Sequence, residues 1–257
     1  MNYRKIGIVL AIACMVVAST EAPGKWEGSI VVSNGTGQLH VSSARCLASA
    51  IYTMWRRYGL PLTYEDAPLR YEGDLVDVTA PSYKVKSPTD RAFDPRGGAL
   101  DVLFDVKDAE GRPVEVDQFL SNLLNAYKAT GFPGVYKVVQ DATGTFHIIP
   151  ESTRDAYGNE KAVAPLMDCE LAIPQKPGRT NKELIDMLVA SLTAQTGAKV
   201  VLGKPLPPIF ENDVFPDGFP SISARAALEQ AFYRSGGHRF WMLLWDPTFR
   251  YYVLSIF

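Results

Sequence analysis

TGFPGVYKVVQDATGTFHII, residues 130–149, and SGGHRFWMLLWDPTFRYYVL, residues 235–254, lie over one another without a gap. Gly131 falls on Gly236, Asp141 on Asp246 and Phe146 on Tyr251, a constant shift of 105 residues. Each stretch reads as a glycine that ends a helix, then a strand, a turn carrying Asp and Thr, and a returning strand. Such a chain is expected to use one folding unit twice.

A second match supports this. In SSARCLASAIYTMWRRY, residues 42–58, the apolar positions 46, 47, 50, 51, 54, 55 and 58 make one face of a helix. Ser42 or Ser43 is placed to cap it and Gly59 to end it. TNKELIDMLVASLTAQTGAKVVL, residues 180–202, repeats that stripe 138 residues later, with Gly197 on Gly59. Here Thr180 and Glu183 form a capping box. Short strands follow at 60–64 and 200–202. Each half then carries another amphipathic helix, Val116–Thr130 and Ser223–Ser235.

The first half is the longer. Its two glycines, 59 and 131, are 72 residues apart, against 39 for 197 and 236. An insertion therefore lies at about 65–116. DLVDVT (74–79) and ALDVLFDV (99–106) within it read as strands, and SPTDRAFDPRGG (87–98) as a polar loop. The expected fold is α+β: two tandem small units, each with two helices packed on one face of a small mixed sheet, the first enlarged by the strand-rich insertion. The units span 23–150 and 180–257, joined by a connector at 151–179.

Each half resembles the short secretin-and-TonB N-terminal (STN-like) domain and, more loosely, the periplasmic N-domains of secretins. The resemblance rests on the helix ending in Tyr-Gly or Thr-Gly, on the strand after it, on ARAALEQAFYRSGGHRFWML, and on the closing strand pair near Tyr252-Val253-Leu254. It covers roughly two-thirds of the chain past the leader. Such domains normally precede an outer-membrane barrel or secretin pore. After Phe257 nothing in this sequence would form one, so channel or receptor function does not carry over.

MNYRKIGIVLAIACMVVASTEA, residues 1–22, has a positive start (Arg4, Lys5), an apolar run and a small-x-small end, the layout of a secretory signal. The apolar run is short for a membrane span, so the mature chain is expected to have no transmembrane segment. Cleavage after Ala18 is a second option. Ala11-Ile12-Ala13-Cys14 also loosely matches a lipobox, in which case Cys14 carries a lipid anchor; the apolar residues after it argue against that. Export to the periplasm or beyond is the expectation. Cys46 and Cys169 then remain as a pair in a compartment that permits a disulfide, although Cys46 lies on an apolar stripe that suits a buried thiol.

Apolar residues make up 47% and charged residues 21% of the chain, which suits a packed globular protein. The net charge of −2, with no basic run, argues against nucleic-acid binding. No metal site is expected: His40, His147 and His238 have no ligand-spaced partners, and His147 falls on Tyr252 in the repeat, as a structural position would. No nucleophile elbow, dinucleotide fingerprint or P-loop occurs. Arg96-Gly97-Gly98 and Asn34-Gly35-Thr36 read as turns. The acids Glu65, Asp66, Glu72, Asp74 and Asp77 could serve a hydrolase, but they fall at strand ends and loops, where solvated carboxylates are common. The aromatic hairpin is the sharper feature. Trp241 and Trp245 share one strand face, with Phe249 and Tyr251 beyond the turn. It reads either as an internal contact or as an exposed platform for a protein or glycan.

The expected function is therefore a non-catalytic exported binding or scaffold protein, without a cofactor, whose partner is another exported or envelope protein. Open sheet edges supply the physical means. Glycan or solute binding by the aromatic hairpin, and hydrolysis by the loop carboxylates, are the alternatives.

Overall fold

The computed structural model describes residues 26, 28–87, 89–107, 112–113, 115–237 and 239–257. Residues 1–22, expected as a secretory signal with Cys14 within it, and His238 lie outside the described residues. The first half runs β1 (Ser29–Ser33), β2 (Thr36–Ser43), α1 (Cys46–Tyr58), β3 (Leu62–Glu65), β4 (Leu75–Asp77), α2 (Pro81–Lys86), β5 (Phe93–Pro95), β6 (Gly98–Asp105), α3 (Val116–Thr130), β7 (Val135–Gln140) and β8 (Phe146–Arg154). The remainder runs β9 (Glu160–Ala162), β10 (Glu170–Ile173), α4 (Asn181–Thr196), β11 (Val200–Leu202), α5 (Ile209–Asn212), β12 (Phe219–Ser223), α6 (Ala224–Arg234), β13 (Trp241–Asp246) and β14 (Tyr251–Ile256). The fold is α+β.

Local chemistry accounts for the main helix ends. Gly59, Gly131 and Gly197 each close a helix in the left-handed conformation, at φ of 64°, 71° and 69°. Thr180 accepts from the Glu183 N–H, and Glu183 accepts from the Thr180 N–H. At α1 the expected serine cap is absent. β2 continues through Ser43, the helix starts at Cys46, and the Ser43 hydroxyl bonds Ser49 instead. The polar loop at 87–98 holds β5, which pairs with β4, and Phe93 hydrogen-bonds Thr248 through both main-chain groups.

One large sheet organises the molecule, in the order β11-β14-β13-β3-β8-β7, with β9 beside the far end of β8. Within the first half, β3 runs parallel to β8 and β7 antiparallel to it. Within the second, β11 runs parallel to β14 and β13 antiparallel to it. The two triplets meet where β13 and β3 pair in parallel. Every strand of one triplet thus opposes its counterpart in the other while their order along the sheet is the same. The operation that does this is a half-turn about an axis across the strands plus a translation, and a half-turn also exchanges the two faces of the sheet.

The helices follow that exchange. Leu62 and Tyr64 of β3, Phe146 and Ile148 of β8, Met242 of β13 and Phe240 just before it face the core built with α1 and α3. Trp241, Leu243 and Trp245 of β13, with Tyr252 and Leu254 of β14, face the opposite core, built with α4 and α6. Both sides of β13 are therefore buried, as its continuous apolar sequence requires. The helices do not merely lie on one sheet, as expected from sequence. Each pair is also covered on its outer side, α1 and α3 by β1-β2-β6 through Leu39, Val41, Leu100 and Phe104, and α4 and α6 by β10-β12 through Leu171 and Ile173. Among the outer strands, β2, β6 and β10 alternate buried and exposed residues, which fits a sheet with one solvated face.

The gapless overlay is in register through β7 and β13 and slips by one residue afterwards. Phe146 pairs with Leu62 as Tyr252, not Tyr251, pairs with Val200. The second turn is one residue longer and carries Arg250 at φ 56°. In both turns the aspartate does the same work: Asp141 Oδ1 accepts from the N–H groups of Thr143 and Thr145, and Asp246 Oδ1 from those of Thr248 and Phe249.

Candidate functional site

The second half holds a strand of the first along β13. Beside β13 and beneath α6 lies the extended segment 62–69. Asp66 N–H donates to the Leu243 carbonyl at 2.8 Å, and Trp245 Nε1 donates to the Leu69 carbonyl at 3.1 Å. Glu65 accepts from Arg225 Nη2 of α6 at 2.7 Å, while Arg225 Nε reaches Asp168 at 2.9 Å. The Glu65 carboxylate also accepts from the main-chain N–H groups of Leu166 and Met167. Asp66 accepts from Tyr64 Oη, from the Trp245 N–H and from Arg45, whose other nitrogen donates to the Trp245 carbonyl at 2.7 Å. Burial pushes both carboxyls up, and the paired guanidinium pulls each back.

The counterpart of that strand-filled groove in the first half is open. Between α3 and β7 runs a groove of about 560 Å³, lined by Ser121, Asn125 and Lys128 of α3 and by Tyr136, Val138 and Gln140 of β7. Its charges balance, with Asp117 and Glu151 against Lys128 and Lys137. β7 is a terminal strand of the sheet. Asp141 N–H bonds the Thr145 carbonyl, so Val139 and Lys137 direct their main-chain groups to β8. Those of Tyr136, Val138 and Gln140 then point outward into the groove. The same alternation on β13 starts from Phe257 N–H on the Phe240 carbonyl and turns Trp241, Leu243 and Trp245 toward β3. Tyr136, Val138 and Gln140 are thus the open-edge equivalents of Trp241, Leu243 and Trp245. A polar Gln140 where the other half has Trp245 is the one sequence signal that this edge is uncovered.

The residues expected at a site fall differently. Trp241 and Trp245 are buried in the core under α4 and α6, so an exposed platform cannot include them. A strand covered on both faces leaves no aromatic surface. Phe249 and Tyr251 stack on each other at the tip of the hairpin, centroids 5.7 Å apart, and Phe249 is 57% exposed. Glu65, Asp66 and Asp74 are buried rather than solvated, and each faces an arginine: Arg225, Arg45 and Arg154. They tie segments together and reach no solvent where a substrate could sit. Cys46 and Cys169 are not bonded. Cys46 is buried with α1, where burial pushes its thiol up to about 11, while Cys169 packs against the other core and approaches Gln195.

One arrangement has the order of a catalytic relay. Thr63 Oγ1 lies 2.7 Å from His147 Nδ1, and His147 Nε2 lies 3.3 Å from Asp141 Oδ2, off the line of a good hydrogen bond. Thr63 and His147 are sealed, at 0% and 1% exposure, so no acyl group can approach the hydroxyl. Burial holds His147 down to about 4, hence neutral. Nearby, Glu229 accepts from Trp241 Nε1 at 2.7 Å, and burial pushes it up to about 7. Among the described residues no group of three His, Cys, Asp or Glu could hold a metal ion, and no helix is long and apolar enough to cross a membrane. Comparison with protein-family models, curated proteins and solved structures gives no match to this chain.

Proposed function

We propose that this is an exported, non-catalytic binding protein whose α3–β7 groove takes up an extended segment of another secreted or envelope protein. The segment adds as a strand parallel to β7. The observation that carries this reading is the internal precedent: the equivalent α6–β13 groove holds residues 62–69, with Tyr64 and Glu65 in parallel pairing, Asp66 N–H on the Leu243 carbonyl and Leu69 on the Trp245 side chain. Main-chain groups of Tyr136, Val138 and Gln140 supply the hydrogen bonds of strand addition, and the side-chain pockets along α3 supply selectivity. The layout of residues 1–22 supports export. The repeated strand order within the two halves supports the reading as tandem STN-like units. The sealed Thr63–His147 pair supports a binding rather than a catalytic role.

A ten-residue peptide display library selected on the chain from residue 23 onward tests it. Bound peptides should protect the amides of Val138 and Gln140 from hydrogen exchange. Val138→Pro removes an outward N–H without touching the β7–β8 ladder, and should abolish binding while leaving the fold intact. Peptides that bind Val138→Pro undiminished, or that protect only the Phe249–Tyr251 hairpin, would overturn the proposal.

A further inference from the structure

We infer that one occupant of the open groove is the β11 edge of a second copy of this chain, so that copies add head to tail along one continuous sheet. This rests on the groove reading above and names its partner. The two free ends of the sheet are β11 and β7. They are the counterparts of β3 and β13, the strands already joined inside the chain. Whatever geometry joins β13 to β3 is therefore available to join β7 of one copy to β11 of the next.

The main-chain directions of the two edges agree. Phe146 N–H bonds the Pro61 carbonyl and Asp66 N–H bonds Leu243, so Leu62, Tyr64 and Asp66 turn their main-chain groups toward β13. On β11, Tyr252 N–H bonds the Lys199 carbonyl and Gly203 N–H bonds Leu254, which turns those of Val200, Leu202 and Lys204 outward; the Val200 N–H is held by Thr193 Oγ1 of α4 at 3.1 Å, so the donors that meet the next copy are those of Leu202 and Lys204. The prolines that follow β11 stand at 205, 207 and 208, so none removes a donor from that set. Mapping Leu243↔Glu65 through the two offsets places Val138 opposite Gly203 of the next copy, and Lys137 opposite Leu202.

The side chains agree as well, with one exception. Where Glu65 lies against Arg225 inside the chain, the copy-to-copy contact brings Gly203 against Leu120, so no carboxylate is buried without a partner. Lys137 takes the place of Met242, which is fully buried under α1. A lysine there restrains edge pairing without forbidding it, since its stem can carry the ammonium out to water. The internal contact is a half-turn; the copy-to-copy contact repeats it and completes the turn. Successive copies then face the same way, and nothing closes the assembly.

Sedimentation of the chain from residue 23 onward, over a rising concentration series, tests the inference. The wild type should shift progressively to larger species without a plateau at dimer, and Lys137→Met should do so at lower concentration. Val138→Pro and Leu202→Pro, which block one edge each, should stay monomeric. Mixed in equal amounts they should form a dimer that grows no further, since one supplies an intact β7 and the other an intact β11. That dimer also excludes misfolding as the cause of their separate behaviour. Growth that survives either proline, a mixture that stays monomeric, or a Lys137→Met chain that stays monomeric at every concentration would overturn the inference. The groove reading is read apart from it: Leu202→Pro keeps peptide uptake and Val138→Pro loses it.

Discussion

The main-chain N–H of Asp66 donates to the carbonyl oxygen of Leu243 at 2.8 Å, which makes a strand of the first half the neighbour of a strand of the second. The side chains around this bond are interior ones. Trp55 stacks on Phe240 at 4.7 Å from the α1 side, and Arg225 lies over the Trp241 ring at 5.6 Å from the α6 side. Neither helix pair can keep its core if the seam opens, because β13 contributes a face to each. The two halves therefore share their stability.

Trp241→Ala should cost about 3–5 kcal/mol, the range for a fully buried tryptophan. Urea unfolding followed by far-ultraviolet circular dichroism and by tryptophan fluorescence should give one coincident transition in both proteins. Two separated transitions in the wild type would contradict the shared seam.

Arg225 and Glu65 make a buried ion pair across that seam, with side chains 10% and 1% exposed. Arg225→Met strands the carboxylate and should cost about 3–5 kcal/mol. Adding Glu65→Gln should restore most of the loss, because the amide oxygen still accepts from Leu166 and Met167 and no charge stays buried. A double variant no more stable than Arg225→Met alone would show that the pair's charge is not what the single change exposes.

Helix stripes, the glycine ends at 59, 131 and 197 and the paired hairpins were readable from sequence because each is set by neighbours three to five residues apart; α6 departs from the pattern, closing on Ser235 before Gly236. The capping box at Thr180 and the turns at Asp141 and Asp246 are local in the same sense. The slip after Asp246 was hidden because one added residue in a turn leaves the apolar pattern nearly unchanged, yet it moves His147 onto Val253 rather than Tyr252 and exchanges the faces. The burial of Trp241 and Trp245, and of Glu65 and Asp66, depends on where β3 meets β13, a contact between residues about 180 apart that no local pattern encodes. Of the outer sheets only pieces were legible, β6 as a strand and Asn34-Gly35 as a turn, because the pairing of β2 with β6 and of β10 with β12 joins segments far apart in sequence. The open groove left only the trace at Gln140.

Glu229 and His147 sit in the same buried region beside Trp241 and should pull stability in opposite directions with pH. Glu229 is raised from 4.5 to about 7, so the folded chain holds its proton where the unfolded chain has lost it. Its favourable contribution is complete below pH 4.5 and is lost as pH rises to about 7. His147 is lowered from 6.5 to about 4, so its contribution is complete above pH 6.5 and is lost as pH falls to about 4. Asp141 and Arg225 act on both groups and Asp168 on His147, so single substitutions should be compared with wild type at each pH. Glu229→Gln keeps an acceptor for Trp241 Nε1 and should gain on the wild type by about 3 kcal/mol between pH 4.5 and 7, at about 1.4 kcal/mol per pH unit. His147→Asn keeps a polar partner for Thr63, and its deficit against the wild type should shrink by a similar amount, about 3 kcal/mol, as pH falls from 6.5 to 4. Urea midpoints from pH 4 to 8 measure both slopes. A Glu229→Gln curve parallel to the wild type across that range would mean that the carboxyl is already ionised in the folded protein near pH 5, and that Trp241 and Arg225 stabilise its charge against burial.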